Sequence, residues 1–568
     1  MIHGWTLNRL LVAVCATVPL LIPDRVAARG RLPNEPLTER TDARSDVSAQ
    51  LRSVVAAGRN PVMRWARLDD VAREMRVLYD SAAWSPLWSR DGQPTAAALA
   101  MLAVFAQADT YGLHADDYDA ASLRRLAGMR SAPPLISAEQ RAAFDVALSA
   151  NAARLVRALR FGRVPPRALH PELRFTRVPH DLAGVVRELA VTADPAVRLA
   201  REEPPYLHYR LLRSALARYL TLDRDTSLLP LALPPTLRPG MRDAGVPRLR
   251  RLLVRLGDAP EAAAVDSLQV NPTLADALRR FQRRQGMKAD GVVGAATRAR
   301  LERPFADRAA QIALSLERWR WLPREFSEPP VIVNLPAFRL HAFASTSDRE
   351  ADLLSMDVVV GDAFDSRTPV FSDSIRHLVF SPYWDVPASI ARAEILPKAR
   401  RDPGYLARGD YELVDTRERV VTATNVALAG LATGRTRVRQ RPGPKNALGR
   451  VKFIFPNAHS VYLHDSPARA AFERPRRDLS HGCVRVAEPA RLATFLLRAQ
   501  SGWDSVAVSS AMDGTTPRQV NLDRPVPVHI VYATAVARED GRVFFYDDIY
   551  GHDRRLARLL AAGYPYAQ

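Results

Sequence analysis

Cys483 stands in the hexapeptide Ser480-His481-Gly482-Cys483-Val484-Arg485 and is one of two cysteines in the chain. A free thiol is only a few per cent ionised near pH 7. A cysteine that attacks a carbonyl therefore needs an imidazole or another positive influence to stabilise its thiolate. Lowering its pKa by about two units raises the reactive fraction roughly thirtyfold. Two histidines are candidates: His481, two residues upstream, and His464, nineteen residues upstream, which only folding can bring close. In extended backbone, residues two apart face one side. His481, Cys483 and Arg485 are thus expected to line one surface, as are Tyr462 and His464. Gly482 leaves room for its own amide and that of Cys483 to point at a developing oxyanion. Arg485 suits a substrate carboxylate. This is the residue set of nucleophilic acyl transfer, with Cys483 as nucleophile and one of the two histidines as base.

The elements that must position these groups read as a strand over Ser460 to His464, a loop carrying the nucleophile, and a helix opened by Glu488-Pro489. They close a β-rich catalytic domain over 331–512, which begins with strands at Val331 to Asn334, Phe338 to Phe343, Met356 to Val360 and His377 to Phe380. A section at about 391–444, rich in Arg, Gly and turn residues, separates the early strands from the motif and reads as a cap. Beyond it, 513–568 is expected to be a C-terminal extension with a closing strand pair and a last helix. Upstream, apolar residues at helical spacing predict an all-α domain over 59–235, a small three-helix unit over 240–303 and a helical connector over 304–330. Residues 29–58 are polar and predict a flexible leader. Arg9, the apolar run Leu10 to Ile22 and Val26-Ala27-Ala28 predict a signal peptide over 1–28. The fold class expected is multidomain α+β.

With 568 residues and 47% apolar content, the chain can bury several cores. Its net charge of +20 comes from scattered arginines, and such a diffuse field selects no particular partner. No basic run is interleaved with aromatics, which argues against nucleic acid. The N-terminal apolar run, broken by Pro19, is short for a membrane span, and an uncleaved anchor is the alternative to its removal. Removal of 1–28 takes away Cys15 and leaves Cys483 without an intramolecular disulfide partner in an exported protein, where cysteines are usually paired. Its role is thus chemical. His464, His481 and Cys483 are good zinc ligands, but no second cysteine or His-Glu-x-x-His string accompanies them, so no metal and no cofactor are expected.

The spacing of His464 from Ser480-His481-Gly482-Cys483 resembles the signature of the L,D-transpeptidase family. Arg441-Pro442-Gly443-Pro444-Lys445-Asn446-Ala447-Leu448-Gly449, Phe453-Ile454-Phe455-Pro456-Asn457 and Tyr462-Leu463-His464-Asp465 extend the resemblance. Upstream, Ala277 to Gln282, then Asp290-Gly291-Val292-Val293-Gly294 and Thr297, resemble a peptidoglycan-binding module. Together these are similar to the large, multidomain periplasmic branch of the family. The resemblance implies that Cys483 takes an acyl group from a peptidoglycan tetrapeptide stem at its third residue, expels the terminal D-alanine, and passes the acyl group to an amine of a neighbouring stem. It implies His464 as base, His481 and Gly482 as signature residues, and Arg485, Tyr462, Ser480 and Asn446 as substrate contacts. It also implies a periplasmic location, stem peptides as partners and glycan contact through 240–303. Two alternatives stay open: a carboxypeptidase that passes the same thioester to water, and a non-catalytic wall-binding protein.

Overall fold

The computed structural model describes residues 37–128, 137–173, 179–261, 267–325, 328–345, 349, 353–564 and 566. The expected signal peptide lies outside them. Where description begins, the chain is already a helix, Leu37–Ala57. Val47, Leu51 and Val55, spaced by four, are buried at 2%, 0% and 7% exposure in the core of the helical domain. From residue 37 onward this corrects the flexible leader expected over 29–58. One narrow apolar stripe docks an otherwise polar helix against the long helix Ala138–Phe161. That partner helix starts at a capping box in which Ser137 and Gln140 each satisfy the other's backbone amide.

A second correction concerns the helix Leu207–Asp223, expected as part of the 59–235 domain. Its Leu212, Leu216 and Tyr219 join a different core, shared with the helix Phe305–Trp319 and with the three-helix unit. That unit comprises Val246–Arg255, Pro272–Arg284 and Ala295–Leu301. Leu278 and Phe281 are fully buried in it. The Gln282 amide donates to the Val292 carbonyl and the Asp290 carboxylate, so the Asp290-Gly291 turn is tied to the middle helix.

The β-rich part is built on a nine-stranded sheet. Its strands are β1 (Val331–Asn334), β2 (Arg339–Ala342), β3 (Leu354–Gly361) and β4 (Phe371–Phe380). The cap strands follow as β5 (Trp384–Asp385), β6 (Tyr411–Asp415), β7 (Val420–Val421) and β8 (Thr436–Gln440). Then come β9 (Val451–Ile454), β10 (Leu463–His464), β11 (Asp478–Ser480), β12 (Val484–Val486) and β13 (Arg518–Val531). The main sheet runs β11-β3-β12-β10-β9-β4-β13-β1-β2, and β2 pairs with β3 again, which closes the sheet on itself and leaves few free edges. Strands β10 and β12 are parallel, as are β13 and β1.

The sheet gives a third correction. β13 crosses the expected domain end at 512 and pairs with both β4 and β1. Val526, Val528 and Ile530 are buried in the sheet's core, together with Leu556 of the last helix, His552–Ala561. β13 and the last helix are therefore integral to this core and not an extension. The closing hairpin, β14 (Ala535–Ala537) with β15 (Val543–Phe545), packs on the core around Leu207–Asp223.

The inserted segment begins at β5, ahead of 391. It makes its own sheet in the order β5-β8-β6-β7 and its own small core, with Ile395, Leu413, Leu431 and Val438. Its helical entry, residues 388–401, contains a π-turn at Ala391–Ile395. Pro397 accounts for this turn, because its missing N–H and its ring disfavour the ordinary α-bond four residues back.

Candidate active site

Strand β10 lies between β9 and β12 and sets the site's geometry. Leu463 pairs with Val484, and both point into the core at 0% exposure. His464 pairs with Arg485 on the opposite face. Alternation puts Tyr462 and Cys483 on that same face, one step along, and Val484 N–H donates to the Tyr462 carbonyl at 3.1 Å. Cys483 is thus diagonal to His464 across the pair. On the other side of β10, Lys452 of β9 pairs with His464. One cross-strand row therefore reads Lys452, His464, Arg485. Lys452 was not read from the sequence as a site residue. Its signal was available in the alternation of Val451, Lys452, Phe453 and Ile454, which puts a lysine on the face opposite the core.

The turn before Cys483 is tightly bonded. Gly482 has φ +114°, a conformation that L side chains rarely adopt. Ser480 Oγ donates to the Cys483 carbonyl at 2.6 Å and accepts Gly482 N–H at 3.1 Å. Thr368 Oγ1 donates to the Gly482 carbonyl and accepts Gly361 N–H, both at 2.8 Å. Tyr550, from the C-terminal segment, donates its hydroxyl to the Gly361 carbonyl at 2.6 Å.

Three site expectations change as a result. Ser480 is 4% exposed, and its hydroxyl bonds its own turn, so it positions Cys483 and does not contact substrate. Gly482 N–H is spent on Ser480 Oγ and is no longer free for an oxyanion. Asn446, 1% exposed, donates its amide to the Pro382 and Arg441 carbonyls and accepts Leu448 N–H, so it pins the chain that returns from the cap and does not contact substrate.

His481 is exposed, and its Nε2 lies 2.6 Å from Glu394 Oε1 in the π-turn of the cap. The histidine ties the nucleophile loop to the cap. Among the described residues no group of three metal-ligating side chains converges.

His464 is 4% exposed, and its Nδ1 lies 2.5 Å from the Asp465 carbonyl. A carbonyl only accepts, so Nδ1 carries the hydrogen and Nε2 is left as the basic nitrogen. Burial first, then the Arg485 charge, push His464 down to about 3, against the pull of the Asp465 and Leu448 carbonyls. Asp465 braces the segment: its carboxylate accepts Arg450 N–H at 2.8 Å and bonds Arg469 at 2.7 Å. Gly449 admits that carboxylate, since a Cβ there would meet it at 2.4 Å.

The half-buried Cys483 thiol is pushed up by burial, while hydrogen bonds from Tyr462 and the charge of Arg485 act the other way. This reverses the lowered pKa expected from sequence: water loss around the sulfur outweighs the nearby cation. The resting pair is a neutral thiol and a neutral imidazole. Burial also pushes the Tyr462 phenol up, so it stays a proton donor.

The geometry agrees with three matches to known families. Residues 329–528 match the L,D-transpeptidase catalytic domain, residues 242–301 match a model described as "Putative peptidoglycan binding domain", and residues 73–216 match a scaffold domain. The β-rich part is thus similar to L,D-transpeptidase catalytic domains. A protein of Haemophilus influenzae named "Putative L,D-transpeptidase" is 31% identical over 247 residues, which are 43% of this chain. The same stretch is 48% of that relative, so the chain spans about half of the relative's length. No helix among the described residues is long and apolar enough to cross a membrane.

Proposed function

We propose that the protein cross-links peptidoglycan by L,D-transpeptidation, through a thioester on Cys483. The observation that carries this reading is the face shared by Cys483, Tyr462, His464 and Arg485, with the His464 hydrogen fixed on Nδ1. His464 Nε2 takes the thiol proton as Sγ attacks the carbonyl of the third residue of a tetrapeptide stem. The Cys483 amide faces the oxyanion, because the Gly482 amide is committed to Ser480. The proton passes to the departing D-alanine nitrogen, the C–N bond breaks, and the thioester remains. An amine of a second stem then attacks, gives its proton to His464, and releases the thiol with a new amide bond. In this reading 1–28 is a signal peptide, the chain works in the periplasm, and 240–303 contacts glycan strands.

Product analysis with purified tetrapeptide stems tests the proposal. Dimers joined through third-position residues are expected, and they should vanish in Cys483→Ala. Tripeptides alone would assign the thioester to hydrolysis, and no turnover by folded protein would assign the chain to wall binding.

A further inference from the structure

Lys452 is a half-buried lysine with no ion pair or hydrogen bond among the described residues. Its ammonium lies 5.9 Å from the centre of the Tyr462 ring, which itself stands 5.7 Å from the His464 ring. The carboxylate whose charge it feels, Asp385 of the cap, is already paired with Arg437. On the other side of His464, Arg485 likewise has no ion pair among the described residues, and its Nε is buried without a partner. Two uncompensated cations thus flank the imidazole that must accept a proton. Desolvated cations without counter-ions are costly to hold, and an arrangement of this kind is completed by an anion.

We propose that Lys452 and Arg485 form, across His464, a subsite for the terminal carboxylate of the donor peptide, and that filling it readies His464 to take the Cys483 proton. This deepens the transpeptidase reading and rests on it. The terminal carboxylate belongs to the residue just beyond the scissile bond, and Arg485 lies two residues beyond Cys483 on the same face. Without that carboxylate, protonating His464 would put a third cation between two others. With it, the row holds two negative-seeking groups satisfied and an imidazolium compensated. A donor without the terminal charge would therefore bind poorly and also fail to ready the base.

Single-turnover acylation of the full chain, followed by intact mass, compares a tetrapeptide donor with its terminal carboxamide. The ratio of the two rates is then compared between proteins, so that the intrinsic difference between leaving groups cancels. Lys452→Met is expected to lower the preference for the carboxylate about tenfold, within the range of a hydrogen bond to a charged group, and Lys452→Arg to restore most of it. Lys452→Gln serves the same comparison should the Met variant not fold. An unchanged ratio in a folded, charge-free variant overturns the subsite. Absence of any thioester on wild-type protein with either donor would instead overturn the transpeptidase reading itself.

Discussion

Thr368→Val isolates the bond that steadies the nucleophile turn. The hydroxyl is 1% exposed and bridges two strands' ends, giving its hydrogen to Gly482 O and accepting one from Gly361 N, each at 2.8 Å. Valine nearly preserves the shape but leaves a buried carbonyl and a buried N–H bare, at about 1–3 kcal/mol apiece. If neither finds water, the loss is about 2–6 kcal/mol, and the low end holds if the Gly482 carbonyl is rehydrated from the cleft. Since the Gly482 carbonyl adjoins Cys483, part of the loss should appear as a misplaced nucleophile, roughly a tenfold slower acylation for each 1.4 kcal/mol. The assay pairs thermal unfolding with single-turnover acylation of Cys483, and Thr368→Ser serves as the control that keeps the hydroxyl. A Val variant as stable and as fast as wild type, or a Ser variant as damaged as Val, would refute the reasoning.

The other predictions draw on the same geometry. Alkylation of Cys483 by iodoacetamide should keep accelerating above pH 9, and Arg485→Met should move the curve further up by removing the one charge that favours the thiolate; a plateau below pH 8 would contradict this. Burial holds His208, His529 and His552 down to about 4 and His464 to about 3. An unfolded chain binds protons on histidine near pH 6.5 that the folded one refuses, so stability present above that pH is lost as pH falls toward 3–4. Melting temperature should therefore drop steadily from pH 6.5 to 4, and a flat profile would be inconsistent with these burials. Asn446→Ala should lower thermal stability by removing several buried bonds while leaving donor KM nearly unchanged; a large KM effect in a stable variant would return Asn446 to the substrate.

The order of chemistry was readable from residue types, and the contacts were not. Cys483, His464 and Tyr462 could be grouped on one face because a lone thiol, a glycine and alternating positions each carry a local signal. Ser480 and Asn446 were misassigned because a polar side chain in a motif has the same letter whether it faces substrate or its own backbone. The pKa of Cys483 was misjudged for a related reason: a nearby cation is visible in sequence, but burial is not. In the fold, Val47, Leu51 and Val55 had the right spacing, yet the polar residues around them masked it. β13 was assigned to an extension because its partners, β4 and β1, lie well over a hundred residues away. The bridge of Thr368 and Tyr550 to Gly482 is non-local for the same reason. The cap was legible as a change of composition, whereas Glu394 reaching His481 depends on a π-turn set by Pro397.

The proposed function stands on acylation of the Cys483 sulfur by a stem peptide. Intact and peptide-mapped mass spectrometry of the full chain after mixing with a tetrapeptide donor tests it most directly. A gain equal to the tripeptide acyl group is expected on Cys483, with D-alanine released, absent in Cys483→Ala and strongly slowed in His464→Asn. Donor consumption by folded protein with no adduct on Cys483, and equal consumption by Cys483→Ala, would contradict it.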